Sequence, residues 1–375
     1  KIRLGYGETG SLPGGSGLSQ VVYGFGYDSG GTGNTSQARA ANPDLKWESK
    51  AETNLGIDFS QGKLSGSLDL YTRDITDFIL DTKVDVATFG FDRRFENSGK
   101  INTQGLELNI GYEVTDNYQT NINISTYNTT LEEYVIEEGD IQGNLGSPGQ
   151  NSTNMVLVKP GEAIGQIWAP RFDGVNADGS VNFGDVNGDG IITASQDKWN
   201  DPDGDFINAG NGIPTLELGW SNNINIGNWS VNAFFRGAFG HSLVNTFRAF
   251  YEPRLASQSS YNFVNTELAL PELTVAQFSS LYVEKADFFK LDNLTVAYNF
   301  NLGEGSIIDG AQISANVQNA FVITNYTGID PEPSLVDNPQ QDLSGQGGNV
   351  LAPGIDRRSN YFTARTVTIG LNINF

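Results

Sequence analysis

The sequence predicts an all-β fold, an antiparallel β-barrel that crosses a membrane with its strands. Three observations support this prediction. Residues 366–375 alternate strictly between apolar and polar side chains and end on an aromatic ring. The same alternation recurs in pairs of segments joined by short turns, and no apolar run approaches the ~18 to 20 residues of a membrane helix. Alternation with period 2 gives one face suited to lipid and one suited to a hydrated lumen.

The first hairpin joins residues 51–59 to residues 64–72 through Gln61, Gly62 and Lys63. This short connection contains the glycine that tight hairpin turns favour. Polar residues occupy the alternate positions of both segments, so the hairpin has one apolar and one polar face. The apolar face consists of Leu55, Ile57, Phe59, Leu64, Gly66, Leu68 and Leu70.

Two further hairpins repeat the pattern later in the chain. Residues 104–113 are predicted to pair with residues 118–127, and residues 215–226 with residues 229–239, each across a short turn. A soluble sheet could show the same alternation, because period 2 reports only two unlike faces. The recurrence of the pattern in successive hairpins is what favours a barrel.

Aromatic residues near the strand ends predict the interfacial girdle of a membrane barrel. Trp220 and Trp229 are expected near one rim, and Tyr298 and Phe300 close another strand in the same manner. Phe375 is the interfacial ring expected at the end of the last strand.

The chain holds roughly ten strand candidates of spanning length. The connections between them alternate between short turns and long segments, of which residues 128–214 and 240–288 are the longest. Barrels place long loops on the outer side, so recognition is expected there. The candidates lie near residues 1–8, 51–59, 64–72, 104–113, 118–127, 215–226, 229–239, 289–300, 311–319 and 366–375.

Composition excludes several classes of function. The chain has 44 acidic and 22 basic residues, a net charge of -22, which argues against binding nucleic acid through a basic patch. It has no cysteine, and His241 is its only histidine. No zinc site, thiolate site or Ser-His-Asp arrangement is therefore available unless a missing part of the protein supplies it, and His241 is expected at a solvated loop or strand end. We expect no enzymatic activity.

One acidic loop, which begins at Asp185, has the spacing of a calcium-binding loop. Oxygen-bearing side chains stand at positions 1, 3 and 5, a glycine at position 6 allows a sharp bend, and position 7 offers a carbonyl. Position 12 is Gln196, so the usual acidic closing ligand is displaced by one residue. The alternative is an Asx-and-glycine turn. The acidic run at residues 201–205 could share the ion, but we expect it to be solvated. The candidate calcium ligands are Asp185, Asn187, Asp189, Ile191, Thr193 and Asp197.

Aromatic residues in the long connections are the candidate substrate contacts. Trp168, Phe172 and Trp199 lie in the first long connection, and Tyr251 and Tyr261 lie in the second. Such rings can stack on a sugar or pack on an apolar side chain. The alternative is that they anchor the loops themselves.

Eight segments of the chain are similar in sequence, order and spacing to the corresponding segments of one known family. The chain resembles the carboxyl-terminal half of the SusC-like (SusC/RagA) TonB-dependent outer-membrane transporters. The likeness spans nearly the whole chain, which makes it more specific than any single motif. The segments are residues 1–10, 42–80, 96–110, 185–193, 212–220, 288–300, 317–332 and 365–375.

The resemblance implies a multi-pass protein of the cell outer membrane with a 22-stranded barrel and long extracellular loops. It also implies an amino-terminal plug, the TonB complex as energy source and a SusD-like surface lipoprotein as lid. Neither plug nor leader peptide is seen in residues 1–375, so we expect this chain to be the carboxyl-terminal portion of the barrel. The implied function is active import of an oligomeric nutrient, an oligosaccharide or a peptide.

Two alternatives stay open at this point. A passive or structural outer-membrane barrel would filter solutes by size and lumen charge. A secreted all-β binding module would bury the apolar faces in a sandwich core. An apolar belt that no second protein layer covers would separate the barrels from the sandwich.

Overall fold

The computed structural model describes residues 1–11, 17–27, 30–91, 93–146, 150, 153–254, 263–300, 310–334 and 349–374. Tyr261 and Phe375 lie outside these residues, so the roles assigned to them above stay predictions. Two short α-helices are present in the described residues, α1 (Val86–Phe89) and α2 (Thr246–Tyr251). Neither is long or apolar enough to cross a bilayer.

The described residues are dominated by strands, and their bounds in chain order are as follows. They are β1 (Ile2–Ser11), β2 (Val22–Tyr27), β3 (Gly33–Arg39), β4 (Glu48–Gln61), β5 (Leu64–Thr76), β6 (Ile79–Lys83), β7 (Arg93–Asn97), β8 (Lys100–Thr115), β9 (Tyr118–Glu133), β10 (Asp140–Asn144), β11 (Asn154–Val158), β12 (Gln166–Pro170), β13 (Phe172–Val175), β14 (Val181–Phe183), β15 (Phe206–Asn211), β16 (Leu216–Ile226), β17 (Trp229–Phe239), β18 (Ser242–Asn245), β19 (Val283–Lys285), β20 (Phe288–Phe300), β21 (Gly310–Thr324), β22 (Ile355–Asp356) and β23 (Thr366–Asn374). Short 3₁₀ turns occur at Gln196–Lys198 and Ser280–Tyr282.

The ten predicted spanning strands form one antiparallel sheet, so this prediction is confirmed. Its strand order is β1-β4-β5-β8-β9-β16-β17-β20-β21-β23, in which each strand pairs with the next long strand of the chain. Short turns join the hairpins at one end, where Gly62 and Gly227 take positive φ angles of 59° and 58°. Glycine populates this left-handed region without steric cost, which explains its presence in both turns.

The register of the sheet separates an apolar row from a polar row. Ile57, Leu68, Leu108, Ile124 and Leu218 lie opposite one another across successive strands. None of the five side chains is buried. The next row along the strands is polar, because side chains of successive residues point to opposite faces.

The apolar face of the sheet, which we call the apolar belt, stays uncovered across its width. Leu4 on β1 is 79% exposed and Ile369 on β23 is 76% exposed. A sandwich would bury this face against a second layer, and the described residues provide no such layer. The belt is therefore the surface that a barrel presents to hydrocarbon.

The sheet is open at both ends within the described residues. Strand β1 pairs only with β4, and strand β23 pairs only with β21. Unpaired strand edges are not tolerated in hydrocarbon, since their backbone N–H and C=O groups would lack partners. Ten strands therefore form part of a larger barrel wall.

The expected position of Trp220 is wrong. Trp229 pairs with Ile226 beside the turn, but Trp220 pairs with Phe235, about 20 Å further along the strands at ~3.4 Å per residue. The aromatic cluster at the turn end is instead formed by Trp229 and Tyr298, whose ring centroids are 4.9 Å apart. Phe300 contacts Tyr298 at the same centroid distance of 4.9 Å.

The long connections, at the opposite end from the short turns, are folded rather than simple loops. Strands β10, β11, β12 and β15 form a second sheet, and β18 pairs with β19 and β22 in a third. We call the folded parts of residues 140–214, 240–288 and 349–360 the loop module. Its main core contains Met155, Val156, Ile167, Val244, Tyr282 and Ile355, each less than 5% exposed.

The expectation that His241 is solvated is also wrong. The side chain is 3% exposed, and its Nε2 lies 3.0 Å from the carbonyl oxygen of Pro331. His241 lies just after the end of β17. The segment after β21, which contains Pro331, packs onto His241 there. Its burial is set by that distant segment, which explains why the local sequence did not predict it.

Candidate functional site

The polar face of the ten-stranded sheet contains a concave pocket of about 320 Å³. Its walls come from strands β5, β8, β9, β16, β17 and β20, together with the segment after β21. In a barrel the polar face lines the lumen, so this pocket opens to the lumen. Charged and polar residues that line it include Asp69, Glu107, Asn123, Glu217, Arg236 and Glu332.

One wall of the pocket is an ion-pair network around Arg236. Its guanidinium donates two hydrogen bonds to Glu332, at 2.7 and 2.8 Å, and one to Asp292 at 3.2 Å. Lys290 also donates to Glu332, at 2.6 Å. A bidentate pair of this kind fixes orientation as well as charge. Glu332 thereby ties the segment after β21 to the inner face of β17.

The other wall of the pocket is acidic. Glu107 lies opposite Asp69 on one side and Ser125 on the other, and Glu217 lies opposite Ser125 from the next strand. Asp69 is bound by Arg3 at 3.0 Å, whereas no ion pair involves Glu107 or Glu217 in the described part of the chain. Uncompensated carboxylates on one wall favour neutral polar or cationic groups over anions.

The sequence did not predict that these residues form a pocket. Each lies at a polar position of an alternating strand, which marks it as lumen-facing but does not single it out. The pocket forms because the register brings residues distant in the chain to one level of the sheet.

The acidic loop that begins at Asp185 is organised by its own backbone. The Asp185 carboxylate accepts hydrogen bonds from the N–H groups of Gly188, at 2.6 Å, and Gly190, at 2.9 Å. Asp189 accepts from the N–H of Ile191 at 2.7 Å, and Asn187 accepts from that of Asp189 at 3.0 Å. The contacts of Asn187 and Asp189 are Asx-turn contacts, which the alternative interpretation of the loop predicts.

Asp205 closes this loop, although it was expected to be solvated. Its side chain is fully buried, at 0% exposure. Its two carboxylate oxygens accept hydrogen bonds from the N–H groups of Val186 and Thr193, each at 2.6 Å. The prediction that the acidic run at residues 201–205 is solvated is therefore wrong for Asp205. Its position directly before β15 is the only local sign that it is held inside.

The two residues at the end of the calcium-loop spacing, Gln196 and Asp197, have hydrogen-bond partners of their own. Gln196 accepts a hydrogen bond from the N–H of Asn154 at 2.9 Å. A hydrogen bond with Ser195 is the main cause that lowers the pKa of Asp197 below its ordinary value. No group of three or more Asp, Glu or His side chains in the described ranges is placed to hold a metal. The oxygen donors suit calcium chemically, and calcium binding stays a prediction.

The candidate aromatic contacts that the structure describes, Trp168, Phe172, Trp199 and Tyr251, lie within the loop module. Trp168 donates its indole N–H to the carbonyl oxygen of Trp199 at 2.9 Å. Phe172 packs against the main core of the module. Tyr251 ends α2, where its ring lies 4.9 Å from that of Phe247 and 4.5 Å from that of Phe250. These contacts agree with an anchoring role, and contact with substrate stays a prediction.

Comparison with known proteins agrees with the observed fold. A SusC-type TonB-dependent receptor of Bacteroides thetaiotaomicron is 26% identical over 417 residues, covering 100% of this chain and 37% of that protein. A TonB-dependent receptor of Formosa agariphila is 27% identical over 440 residues, covering 100% of this chain and 40% of that protein. The solved structure of the RagAB peptide transporter superposes with a TM-score of 0.74 at 19% identity, covering 100% of this chain and 40% of that chain.

The chain thus spans 40% or less of the length of these relatives. A profile described as TonB dependent receptor-like, β-barrel, matches residues 1–320, which hold eight complete strands of the ten-stranded sheet and most of β21. The chain belongs to the TonB-dependent receptor β-barrel family.

Proposed function

We propose that the protein to which this chain belongs is an active importer of the outer membrane. It takes up an oligomeric nutrient, a glycan or a peptide, with energy from TonB and with a SusD-like lipoprotein as lid. Family membership and the similarity to a SusC-type receptor support the proposal. The fold shared with the RagAB peptide transporter is consistent with it.

The single observation that carries the proposal is the contrast between the two faces of the ten-stranded sheet. The apolar belt is uncovered, as at Leu4 and Ile369, which are 79% and 76% exposed. The opposite face holds a polar pocket of about 320 Å³. A wall with these two faces separates hydrocarbon from a hydrated path, which is what a transporter requires.

The pocket suggests how cargo would be held along that path. Side-chain amides such as Asn109 and Asn123 offer donors and acceptors that match hydroxyl groups and peptide groups alike. The carboxylates of Glu107 and Glu217 would disfavour anionic cargo. Binding here requires no covalent step, so gating rather than catalysis would determine the rate.

The proposal is tested by uptake in a strain from which the gene is deleted. Labelled neutral oligosaccharides and peptides are supplied separately to wild-type, deletion and TonB-deficient cells. The proposal predicts that uptake of one cargo class is lost in both mutants. Uptake that depends on the gene but not on TonB would instead support the passive barrel. Unchanged uptake of every cargo in the deletion strain would contradict both transport proposals.

A further inference from the structure

The loop module includes a short segment from a third connection. Residues 349–358, which we call the clasp, belong to the connection between β21 and β23 but run between the two longer connections. Leu351, Ala352 and Ile355 are 2%, 0% and 4% exposed. Such burial is unusual for loop residues, which normally run over the surface. The clasp is therefore part of a core and not a covering loop.

The clasp joins two separate cores. Leu351 packs in a cluster with Ile101 and Leu131, which lie on barrel strands β8 and β9. Ile355 packs with Met155 and Val244, which belong to the first and second long connections. A short segment thus contacts the barrel wall and both halves of the loop module at once.

Backbone contacts fix the clasp in place. Strand β22 pairs in parallel with β18, and the N–H of Val244 donates to the carbonyl oxygen of Gly354 at 2.9 Å. Gly354 takes a positive φ of 90°, and a Cβ built on it would lie 2.6 Å from the Cα of Gly212. Only glycine fits a position with both constraints. The clasp therefore crosses the first long connection at a backbone-to-backbone contact.

Asp356 connects the clasp to the segment that lines the pocket. Its carboxylate accepts hydrogen bonds from the hydroxyl of Tyr326, at 2.8 Å, and from the N–H of Ile329, at 2.9 Å. Residues 326–332, which we call the pocket segment, end at Glu332 in the pocket wall. A displacement of Glu332 would thus be transmitted through Asp356 to the clasp.

Polar contacts extend the same connection outward. Arg357 donates to the carbonyl oxygen of Asn144 at 2.5 Å, and Asn349 donates to Gln142 at 2.7 Å. On the other side, the hydroxyl of Thr246 donates to the carbonyl oxygen of Asp356 at 2.7 Å. Both long connections are therefore held by residues of the clasp.

We infer that the clasp makes the three connections one conformational unit coupled to the lumenal pocket. Packed interfaces of this kind shift between discrete arrangements rather than deforming continuously, so loosening the clasp releases both long connections together. This inference goes beyond the proposed transport and holds whatever the cargo is.

The test is hydrogen exchange of the full-length protein in detergent or lipid, with Gly354→Val. Valine at this position clashes with Gly212, so we expect about a tenfold or greater loss of amide protection in residues 140–146 and residues 242–251 together. Exchange in hairpin β4–β5 should stay unchanged. Faster exchange confined to the clasp, or to one of the two connections, would overturn the inference.

The matched control is Gly161→Val. Gly161 has a similar φ of 83°, but a Cβ there would meet nothing within 4 Å. It carries the backbone strain of the substitution without the clash, so protection of residues 242–251 should not change.

A second experiment keeps the inference testable if Gly354→Val does not fold. The hydrogen bond between Gln142 and Asn349 places their side chains within reach of each other. A Gln142→Cys/Asn349→Cys pair, in a background without other cysteines, should slow exchange in residues 242–251 when a short thiol-reactive crosslinker joins the two sulfurs. No effect on that segment once the crosslink has formed would contradict the coupling.

Discussion

The guanidinium of Arg236 binds the carboxylate of Glu332 through two parallel hydrogen bonds, of 2.7 and 2.8 Å. Arg236 projects from β17 into the lumenal pocket, and Glu332 ends the pocket segment that leads toward the clasp. The pair thus fastens the pocket segment to the barrel wall. Changes at this pair are expected to affect the pocket and the loop module together.

Removing this pair should cost little stability. Both side chains are more than a third exposed, at 38% and 37%. Partly solvated ion pairs contribute about 0.2–1 kcal/mol. A double-mutant cycle with Arg236→Gln and Glu332→Gln, measured by denaturant unfolding in detergent, should give a coupling free energy in that range. Lys290 stays unchanged in all four proteins, because it also binds Glu332. A coupling energy of zero would mean that the pair does not fasten the segment.

Asp205→Asn should loosen the acidic loop. The carboxylate accepts two backbone N–H groups in a fully buried position, and an amide can accept only at its one oxygen. An unpaired buried N–H costs about 1–3 kcal/mol. Limited proteolysis and hydrogen exchange should show faster opening of residues 186–193. Asp203→Asn, at an exposed neighbouring carboxylate, is the control and should leave this segment unchanged.

Calcium binding by the same loop is tested by calorimetry. If the calcium-loop spacing is functional, the protein binds calcium and Asp189→Ala abolishes the heat signal, because a ligand oxygen at position 5 is removed. Asp178→Ala, which lies outside the loop, should bind as the unchanged protein does. A wild-type protein that gives no calcium signal, or an Asp189→Ala protein that gives the full one, would leave the loop as an Asx-and-glycine turn.

The stability of the loop module should fall at acidic pH through Glu284. Burial alone would raise its pKa, but hydrogen bonds from Arg248 and Thr327 outweigh burial and hold the pKa below its ordinary value. The ionised carboxylate of Glu284 therefore stabilises the folded loop module, and this stabilisation is fully present above the unfolded-state pKa of about 4.3. It is lost as pH falls through the lower folded-state value.

Glu284→Gln should remove this part of the pH dependence, and hydrogen exchange of residues 242–251 at several pH values measures it. Asp356 acts in the opposite direction, because burial raises its pKa and acidification favours its folded form. It must stay unchanged in the comparison. A pH dependence identical in both proteins would rule out Glu284 as the group responsible.

The barrel wall could be predicted from the sequence because its determinants are local. Period-2 alternation and a glycine turn such as Gly62 fix each hairpin without reference to the rest of the chain. The loop module could not be predicted in this way. The continuous apolar run at residues 155–158 forms a strand buried on both faces, and such a run has no alternation to detect.

The candidate site was only partly predictable, because its residues are assembled by register and tertiary packing. Trp220 was misplaced since alternation fixes the face of a residue but not its height in the sheet. Glu332 reaches the pocket from a distant connection, and Asp205 is buried by backbone groups far from it in sequence. Nothing in the local sequence distinguishes Glu332 from a solvated carboxylate, and only the position directly before β15 distinguishes Asp205.

The central claim is that the apolar belt faces hydrocarbon, and one pair of adjacent substitutions tests it most directly. Ile122 pairs with Ile110 and Trp220 on the belt, about 14 Å along β9 from the turn. Asn123, the next residue, points to the opposite, lumenal face. Folding into lipid bilayers is measured for Ile122→Arg and Asn123→Arg in the full-length protein. We predict a loss of about 2–4 kcal/mol for Ile122→Arg and near-normal folding for Asn123→Arg. Equal folding of the two variants, or greater damage from Asn123→Arg, would contradict the account.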